Sequence, residues 1–514
     1  MSLISKEATT TVLVGLVGVV VLRTIVSRMR RPKYPPGPSR LPLIGNLLQL
    51  PKEEAWVTYM NWKQKYGDVI YMEVMGSPLV ILNTYQACVD LLEKRSDIYS
   101  DRPFGIMASQ LMGWKNAVTL SPYGEKWRKF RRMCAQTMRK EAVKVFFPIQ
   151  EREVSRFLGT LLEEPTKFME NFRFTAGRSL LISVYGIHVN GAKDPIIQVA
   201  EKAMSYAVFA TQPGSFLVDF FPALLHVPKW MPGTGWRKFA EEGKALADEM
   251  VEVPFNIALK NIEVQKEGSN EINLTGMCLD RNEDPEVVKW CSGTMFSAGV
   301  DTSVASIHAF VLSMLLHPDI QKRVQAEIDL VVGADRLPLL TDRDDLPFTN
   351  AVMKELMRWQ PVSPFALPHR LIKDDIYNEC FIPAGATVMP NTWAVTRDPS
   401  LFPNPDKFIP DRYLPMFDKT IPCKPEDLPM DPEKFAFGYG RRICAGMHYA
   451  DTMLFVTIAS LMHSFDIVPA LDANGKEIIP EIKFNSSIVR EAVDFPVTIK
   501  PRSEAHRQLI LANA

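Results

Sequence analysis

The sequence has few cysteines, and it has no excess of either charge. Seven cysteines are spread over 514 residues, with no CxxC pair and no cysteine and histidine cluster at zinc spacing. An odd, widely spaced set argues against a secreted disulfide framework and indicates a reducing compartment in which most thiols are buried. Lysine plus arginine equals aspartate plus glutamate, at 59 each, so the global charge gives no reason to expect a nucleic-acid partner.

Internal repeats, low-complexity tracts and linkers are also lacking beyond Pro38. The composition is 46% hydrophobic and 23% charged, which is typical of a globular protein with a large core. We therefore predict that residues 40–514 form one large domain. Apart from a stretch at the amino terminus, we find no apolar run long enough to span a membrane, which argues against a receptor or a transporter.

The amino terminus does contain one long apolar run. Residues 8–26 are nearly all apolar, and 19 helical residues reach about 28 Å, the thickness of one hydrocarbon core. Basic residues follow it (Arg28, Arg30, Arg31 and Lys33), so the positive-inside rule places the rest of the chain in the cytosol. We predict a luminal segment at 1–7, a transmembrane helix at 8–26 and a basic, proline-rich linker at 27–39. A cleaved secretory signal is the alternative, but no small-residue cleavage site follows the run.

Most of the remaining sequence has the periodicity of helices, as in Gln321–Gly333, where apolar residues recur at three- and four-residue intervals. Short β-branched runs predict small sheets at Val69–Val74, Pro78–Leu82 and Phe381–Met389. Residues 399–435 are rich in proline and aspartate and predict an irregular segment. The predicted fold class is mainly α with small β-sheets. The sequons at Asn273 and Asn485 are read as chance, because the predicted topology keeps both in the cytosol.

The most specific motif is Phe437–Gly446, in which three glycines and two arginines surround Cys444. The glycines permit tight turns and the close approach of a flat ligand. An apolar helix is predicted to begin near Met447, and its free N–H groups would favour a thiolate at Cys444. Arg442 is placed to pair with a carboxylate of a bound ligand.

This loop resembles that of the cytochrome P-450 superfamily, whose pattern F-G-x-G-x-R-x-C-x-G is matched at every defined position. The resemblance implies a haem-thiolate monooxygenase domain that binds haem b. It implies that Cys444 is the axial ligand of the haem iron, and that Phe437 and Arg442 contact the cofactor. Thiolate donation to the iron favours cleavage of the O–O bond.

Two further segments resemble the superfamily's structural core. Glu355 and Arg358 are spaced so that their side chains share one helix face. Arg412, in Pro410-Asp-Arg-Tyr413, joins the same ion pair in the family. The resemblance implies that these three residues lock the core behind the haem, since an unpaired buried carboxylate is costly.

A third segment, Ala298–Ser303, puts a glycine, an acid and hydroxyls inside the apolar stretch Trp290–Leu315. Such residues do not help a buried helix to pack. A kink or a local bond from threonine to a carbonyl is one reading. The resemblance implies another, in which Thr302 orients water and iron-bound oxygen and Asp301 helps to deliver protons.

Weaker matches complete the predicted cofactor contacts. Trp127 and Arg131, in the pattern W-x-x-x-R, and Arg370, after His369, resemble segments that contact the haem propionates in the family. Around Trp127 lies a run of basic residues: Lys126, Arg128, Lys129, Arg132, Arg139 and Lys140. This run is either a solvated face or a docking surface for an acidic electron donor.

The resemblance implies that NADPH supplies electrons through a cytochrome reductase, and that O2 and a hydrophobic small molecule are the other substrates. By family analogy the pocket draws on residues 103–114, Ser297 and Val300, Val362–Leu367 and Phe484–Ser487.

The sequence looks most like basidiomycete members that act in secondary metabolism, on terpenoids or steroids, or on polycyclic aromatic and stilbene-like compounds. The expected location is the endoplasmic reticulum membrane, with a single span. The alternatives are a non-oxygenating isomerase or dehydratase and a catalytically silent haem-binding membrane protein.

Overall fold

The computed structural model describes residues 33–514, apart from residues 104, 213 and 266–271. The predicted segments 1–7 and 8–26, and the linker as far as residue 32, lie outside the described residues. Helices dominate the rest, as the sequence predicts. The α-helices of the described chain are α1 Ala55–Tyr66, α2 Tyr85–Cys88, α3 Ser96–Tyr99, α4 Glu125–Thr137, α5 Phe147–Glu163, α6 Phe168–Tyr185, α7 Pro195–Thr211, α8 Gly235–Gln265, α9 Leu274–Leu279, α10 Pro285–Leu316, α11 Pro318–Val331, α12 Pro347–Trp359, α13 Thr392–Thr396, α14 Glu433–Ala436, α15 Met447–Ser464 and α16 Glu504–Asn513.

The strands of the described chain form three small sheets. They are β1 Val69–Val74, β2 Ser77–Leu82, β3 His369–Arg370, β4 Asp375–Tyr377, β5 Cys380–Ile382, β6 Thr387–Pro390, β7 Phe465–Leu471, β8 Glu477–Ile478 and β9 Val497–Pro501. One sheet has the order β1-β2-β6-β3, the second pairs β4 with β5, and the third has the order β8-β7-β9. Strand β2 runs antiparallel to β1 and parallel to β6, with Leu79 opposite Thr387.

The predicted strands and helices match these elements closely. β1 has the predicted bounds, and the turn after it places Met75 (φ 49°) and Gly76 (φ 84°) in the left-handed region, as a two-residue hairpin turn requires. The predicted run Phe381–Met389 is two strands, β5 and β6, separated by Pro383 and Gly385. The predicted irregular segment contains only short helices. Single turns of 3₁₀ helix lie at Pro410–Arg412, Leu414–Met416 and Pro425–Asp427, and π turns lie earlier, at Val89–Glu93 and Ile106–Leu111.

Helix α10 connects the two largest hydrophobic cores. The amino-terminal half, as far as Phe296, packs into one core, and the half from Val304 onward packs into the other. Val300 borders both cores. Helix α15 also passes from one core to the other, since Tyr449 lies in the first core and Met453 in the second. The start of α15 and the middle of α10 are therefore both placed where the two cores meet.

Helix α10 also corrects one expectation from the sequence. We found no second apolar run of sufficient length, yet within the described residues α10 is long and apolar enough to cross a membrane by length and composition. Two thirds of its most apolar window is buried inside the protein, which is the behaviour of a central core helix.

The sequon asparagines have structural roles. Asn273 is buried and caps α9, because its side-chain oxygen accepts a hydrogen bond from the Gly276 N–H at 2.9 Å. A glycan on Asn273 would disrupt this cap. Asn485 is exposed, and its side-chain oxygen accepts a bond from the Ser487 N–H at 3.2 Å.

Candidate active site

The cysteine loop is a closed turn between α14 and α15. The Cys444 N–H donates to the Phe437 carbonyl at 2.8 Å, which ties the two ends of the loop together. Gly440 has a φ of 54°, and a Cβ atom there would lie 2.1 Å from the Leu92 carbonyl oxygen, so only glycine fits. Helix α15 begins at Met447, where the sequence predicts it.

Cys444 presents its thiol to a recess inside the protein. Its side chain has exposed surface, yet the surrounding protein removes enough water for burial to raise the pKa of the thiol. The N–H of Gly446 and the charge of Arg131 oppose this rise. The N–H at the helix start therefore acts in the predicted direction, but desolvation is the larger effect on the thiol. A bound metal cation deprotonates a coordinating thiol by its own charge.

The middle of α10 adjoins the cysteine loop. Ala298 is exposed although most of this helix is buried, and Thr302 and Ser306 on the same face are half-buried. At the near end, a Cβ on Gly446 would lie 3.8 Å from the sulfur of Met295, so the cysteine loop adjoins this helix face. The exposed thiol and the uncovered turn of α10 are therefore close together on the two sides of the contact between Gly446 and Met295.

Two hydroxyls of α10 make the same local bond but face different surroundings. Thr302 donates to the Ala298 carbonyl at 3.0 Å, which is the local bond considered above. Ser303 donates to the Gly299 carbonyl at 2.7 Å and is buried in the protein. Gly299 has a packing role that the sequence analysis missed, since a Cβ there would lie 2.7 Å from the Leu180 side chain on α6.

Asp301 belongs to a charged network that joins three parts of the chain. Its carboxylate pairs with Arg173 of α6, a residue that the sequence analysis did not single out. Arg173 also lies 3.6 Å from a carboxylate oxygen of Glu491, and Glu491 lies 3.7 Å from the buried ring of His308, two turns along α10. The network connects Asp301 to a half-buried carboxylate and a histidine beyond the recess.

Two arginines lie beside the cysteine loop, Arg442 buried and Arg131 half-buried. Arg131 donates to the Ile443 carbonyl at 2.6 Å, next to Cys444. Arg442 donates to the carbonyls of Ser100 and Ser121 at 2.7 Å, and its guanidinium lies 4.7 Å from the centre of the Trp127 ring. Burial lowers the pKa of Arg442 to about 10, and the charge of Arg131 contributes.

Arg102 completes the cationic cluster, although no motif pointed to it. It is buried and donates to the carbonyls of Thr119, Leu367 and Pro368 at 2.7–3.0 Å. Burial lowers its pKa well below the usual value, and the charge of Arg442 adds to this effect. Among the described residues, Arg102, Arg131 and Arg442 make no ion pair with a carboxylate. Asp101 interacts electrostatically with Arg102 and Arg442, but three guanidinium groups beside one acid leave an excess of positive charge that would bind two propionates.

The structure brings His369 into this cluster in place of Arg370. Successive residues of a strand point to opposite faces, and these two form β3. His369 is buried, its Nδ1 lies 2.7 Å from the Tyr99 carbonyl, and burial together with the charge of Arg102 lowers its pKa. Arg370 is partly exposed and lies 3.4 Å from Asp101.

The three predicted core-locking residues are in contact. Arg358 donates to both carboxylate oxygens of Glu355 at 2.7 Å, and both side chains are fully buried. The Arg412 side chain lies 3.1 Å from the same carboxylate, which also accepts the Ile409 N–H at 2.7 Å. Arg358 further donates to the Pro405 carbonyl at 2.6 Å, so the pair ties α12 to the irregular segment.

The last predicted pocket segment, Phe484–Ser487, lies partly at the surface. Asn485 and Ser486 are exposed, and the Ser486 hydroxyl accepts a bond from the Glu54 N–H at 3.3 Å. The Phe484 ring lies 3.9 Å from the Arg490 guanidinium. This segment therefore borders a surface cleft beside α1.

Comparisons with known proteins agree with the cysteine loop. The family model for cytochrome P450 matches residues 35–490. The chain is 39% identical to the cytochrome P450 monooxygenase claR of Ampulloclitocybe clavipes over 506 residues, covering 98% of this chain and 92% of the relative. It is 41% identical to the cytochrome P450 monooxygenase COX2 of Coprinopsis cinerea over 502 residues, covering 96% and 94%.

Proposed function

Because the chain belongs to the cytochrome P450 family and is a monooxygenase, we propose that it binds haem b through the Cys444 thiolate and hydroxylates a hydrophobic small molecule. The observations that carry the proposal are the exposed Cys444 thiol and the position of its loop against α10, where Gly446 adjoins Met295 and Ala298 is exposed. When bound, the haem supplies the iron chemistry that activates O2. Arg102, Arg131 and Arg442 would hold its carboxylates, and Trp127 and Phe437 would line the site.

We expect residues of α10 to deliver protons and to hold a water molecule in place. Thr302 has a half-buried hydroxyl on the recess side, where it can hold a water molecule. Asp301 is held by Arg173 and is only partly exposed, so it can pass protons from the protein surface toward Thr302. The other predicted lining residues are mostly apolar, Val300, Val362 and Leu367 among them. Such a lining favours neutral, hydrophobic substrates of the terpenoid, steroid or polycyclic aromatic classes.

We expect the protein, reconstituted with a cytochrome reductase, NADPH and ¹⁸O2, to convert such a substrate into a product that carries one ¹⁸O atom. Thr302→Ala should lower product formation about 100-fold while NADPH consumption falls much less, since proton delivery contributes factors of about 10² to 10⁴. The readouts are the mass of the product and the ratio of product to NADPH consumed.

Ser303→Ala is the matched control, because Ser303 makes the same bond to a carbonyl one turn earlier but is buried away from the recess. It should leave the ratio of product to NADPH unchanged. A product without ¹⁸O would instead favour an isomerase or dehydratase. If Thr302→Ala and Ser303→Ala behaved alike, the proposed role of Thr302 would be wrong.

We also propose that the basic residues of and after α4 bind the acidic face of the reductase. Arg128, Arg139 and Lys140 are exposed and make no ion pair with a described residue. Lys129 lies 3.7 Å from Glu125, a weak exposed contact that a partner can displace. Electron donors that carry acidic surfaces are steered by such faces.

The double reversal Lys129→Glu and Lys140→Glu should lower reductase-supported turnover about tenfold at low ionic strength, and the difference should shrink as salt is added. The control is the equal reversal Lys193→Glu and Lys202→Glu, just before and on α7, a helix that packs chiefly against α8. Equal effects from the two pairs, or an unchanged rate for the first pair at low salt, would contradict this docking surface.

For location we propose a single-pass protein of the endoplasmic reticulum with the described domain in the cytosol. The apolar stretch 8–26 and the basic residues after it support this topology. Leu43 and Leu48, near the amino-terminal end of the described domain, are strongly exposed, at 96% and 74%, and a membrane surface would cover them. Carbonate extraction should leave the full chain in the membrane fraction and release a chain without residues 1–32; a full chain in the soluble fraction would refute the anchor.

A further inference from the structure

Two cysteines outside the proposed haem site face each other between α4 and α10. The Sγ atoms of Cys134 and Cys291 are 3.4 Å apart, and both side chains are buried. A disulfide has an S–S length of about 2.05 Å, so the sulfur atoms need to approach by only about 1.3 Å. Buried cysteines commonly pack against apolar groups, whereas these two already point at one another.

We propose that Cys134 and Cys291 are a reversible oxidation site, at which hydrogen peroxide converts the two thiols into a disulfide that links α4 to α10.

The pair is chemically asymmetric. The hydrogen bond from Cys291 lowers the pKa of Cys134 although burial opposes this effect, and the charge of Arg131, one turn earlier on α4, lowers it further. The same hydrogen bond raises the pKa of Cys291 well above its usual value. Cys134 is therefore the better nucleophile of the two, because the thiolate is the reactive form.

The reaction balances with peroxide as the oxidant. The Cys134 thiolate attacks one peroxide oxygen, the O–O bond breaks, and the products are a sulfenic acid and hydroxide. The Cys291 sulfur then attacks the Cys134 sulfur, and the hydroxyl of the sulfenic acid leaves as water. In total, two thiols and one hydrogen peroxide give one disulfide and two waters, with two electrons passing from sulfur to peroxide.

A source of peroxide lies close to the pair. Cys134 is near enough to Cys444 for the two side chains to interact electrostatically. A monooxygenase releases hydrogen peroxide when it reduces oxygen without oxidising a substrate, and this part of the argument depends on the proposed function. The geometry of the pair does not depend on it, because peroxide can also be added from outside.

The disulfide would connect the two walls of the haem site. Helix α4 carries Trp127 and Arg131, and α10 carries Thr302. A crosslink over 157 residues of sequence restricts the unfolded chain strongly. We expect the oxidised protein to lose its cofactor more slowly on heating than the reduced protein does, and we expect a thiol reductant to reverse the difference.

The test is peptide mapping of the full-length, haem-loaded protein after a graded dose of hydrogen peroxide. Free thiols are blocked under denaturing conditions, and the digest is run without reductant. The expected result is a linked pair of peptides containing Cys134 and Cys291, with a loss of two mass units from the intact chain, both reversed by reductant. Cys278→Ser is the matched control, because Cys278 is also buried and lies within electrostatic range of Cys134; its replacement should leave the linked pair unchanged.

Three outcomes of the peptide mapping would overturn the proposal. The proposal is overturned if Cys134 and Cys291 are both recovered as blocked thiols at a dose that fully oxidises the exposed Cys423. It is also overturned if Cys134 is linked to Cys278, or if Cys134 proceeds to a sulfinic acid without any disulfide. None of these results depends on turnover, so the proposed function and the disulfide can fail separately.

Discussion

Replacing Cys444 with serine is expected to remove the strongly red-shifted Soret band that the reduced, carbon-monoxide-bound protein should give, and to abolish turnover. Serine has nearly the shape of cysteine, so the loop bond from residue 444 to the Phe437 carbonyl can persist. A hydroxyl does not provide the electron-rich sulfur that favours O–O cleavage. The measurement is the difference spectrum of both proteins at equal haem content.

Cys423→Ser is the control, since among the described cysteines only Cys423 and Cys444 are exposed. It should leave both the spectrum and the turnover as in the wild type. If haem-loaded, folded wild-type protein lacked the red-shifted band, the thiolate assignment would fail, and the mechanism proposed for this recess would fail with it. A normal band in Cys444→Ser would point to a different ligand.

Glu355→Ala is expected to lower the free energy of unfolding by about 3–5 kcal/mol, because it leaves the Arg358 charge buried without its partner. Both side chains are fully buried, and Arg412 would lose the same carboxylate. Since these residues fix the irregular segment that precedes the cysteine loop, the variant should also retain less haem per chain. The measurements are urea unfolding and the ratio of Soret to protein absorbance.

The control for this prediction is an ion pair of similar length that faces solvent. Arg323 and Asp411 lie 2.7 Å apart, but about half of each side chain is exposed. Asp411→Ala should cost less than about 1 kcal/mol, since water already solvates both charges. If Glu355→Ala were no more destabilising than Asp411→Ala, the buried pair would not be a stabilising lock.

The sequence predicted best the parts of the site that are local in the chain. The cysteine loop consists of ten consecutive residues, so the glycines that permit its turns and the cysteine that they surround can be recognised together in the sequence. Strands β1 and β2 were found because each is a short run rich in β-branched residues, although β2 begins one residue earlier than predicted, at Ser77. Helix α12 brings Glu355 and Arg358 together by its own periodicity.

The parts that the sequence missed depend on distant contacts. Arg102 is buried only because carbonyls from residues 367 and 368 reach it, and Arg173 matters because α6 packs beside Asp301. Arg370 was predicted as the cofactor contact, whereas the structure places His369 in the cluster. Pairing of β3 with β6 decides which of these two residues faces the site, and the sequence of β3 alone does not reveal this pairing. Gly299 looked like a disruption of α10, whereas its small size is what lets α6 approach.

The contacts that close the recess also set the order of events during synthesis of the chain. Arg102 reaches the Leu367 carbonyl across 265 residues, and Arg131 reaches the Ile443 carbonyl across 312. Contacts between such distant residues form late, since the entropy of closing long loops must be overcome first. These contacts of Arg102 and Arg131 can therefore form only after residues 367 and 443 have been synthesised, so the arginine cluster is completed on a nearly finished chain.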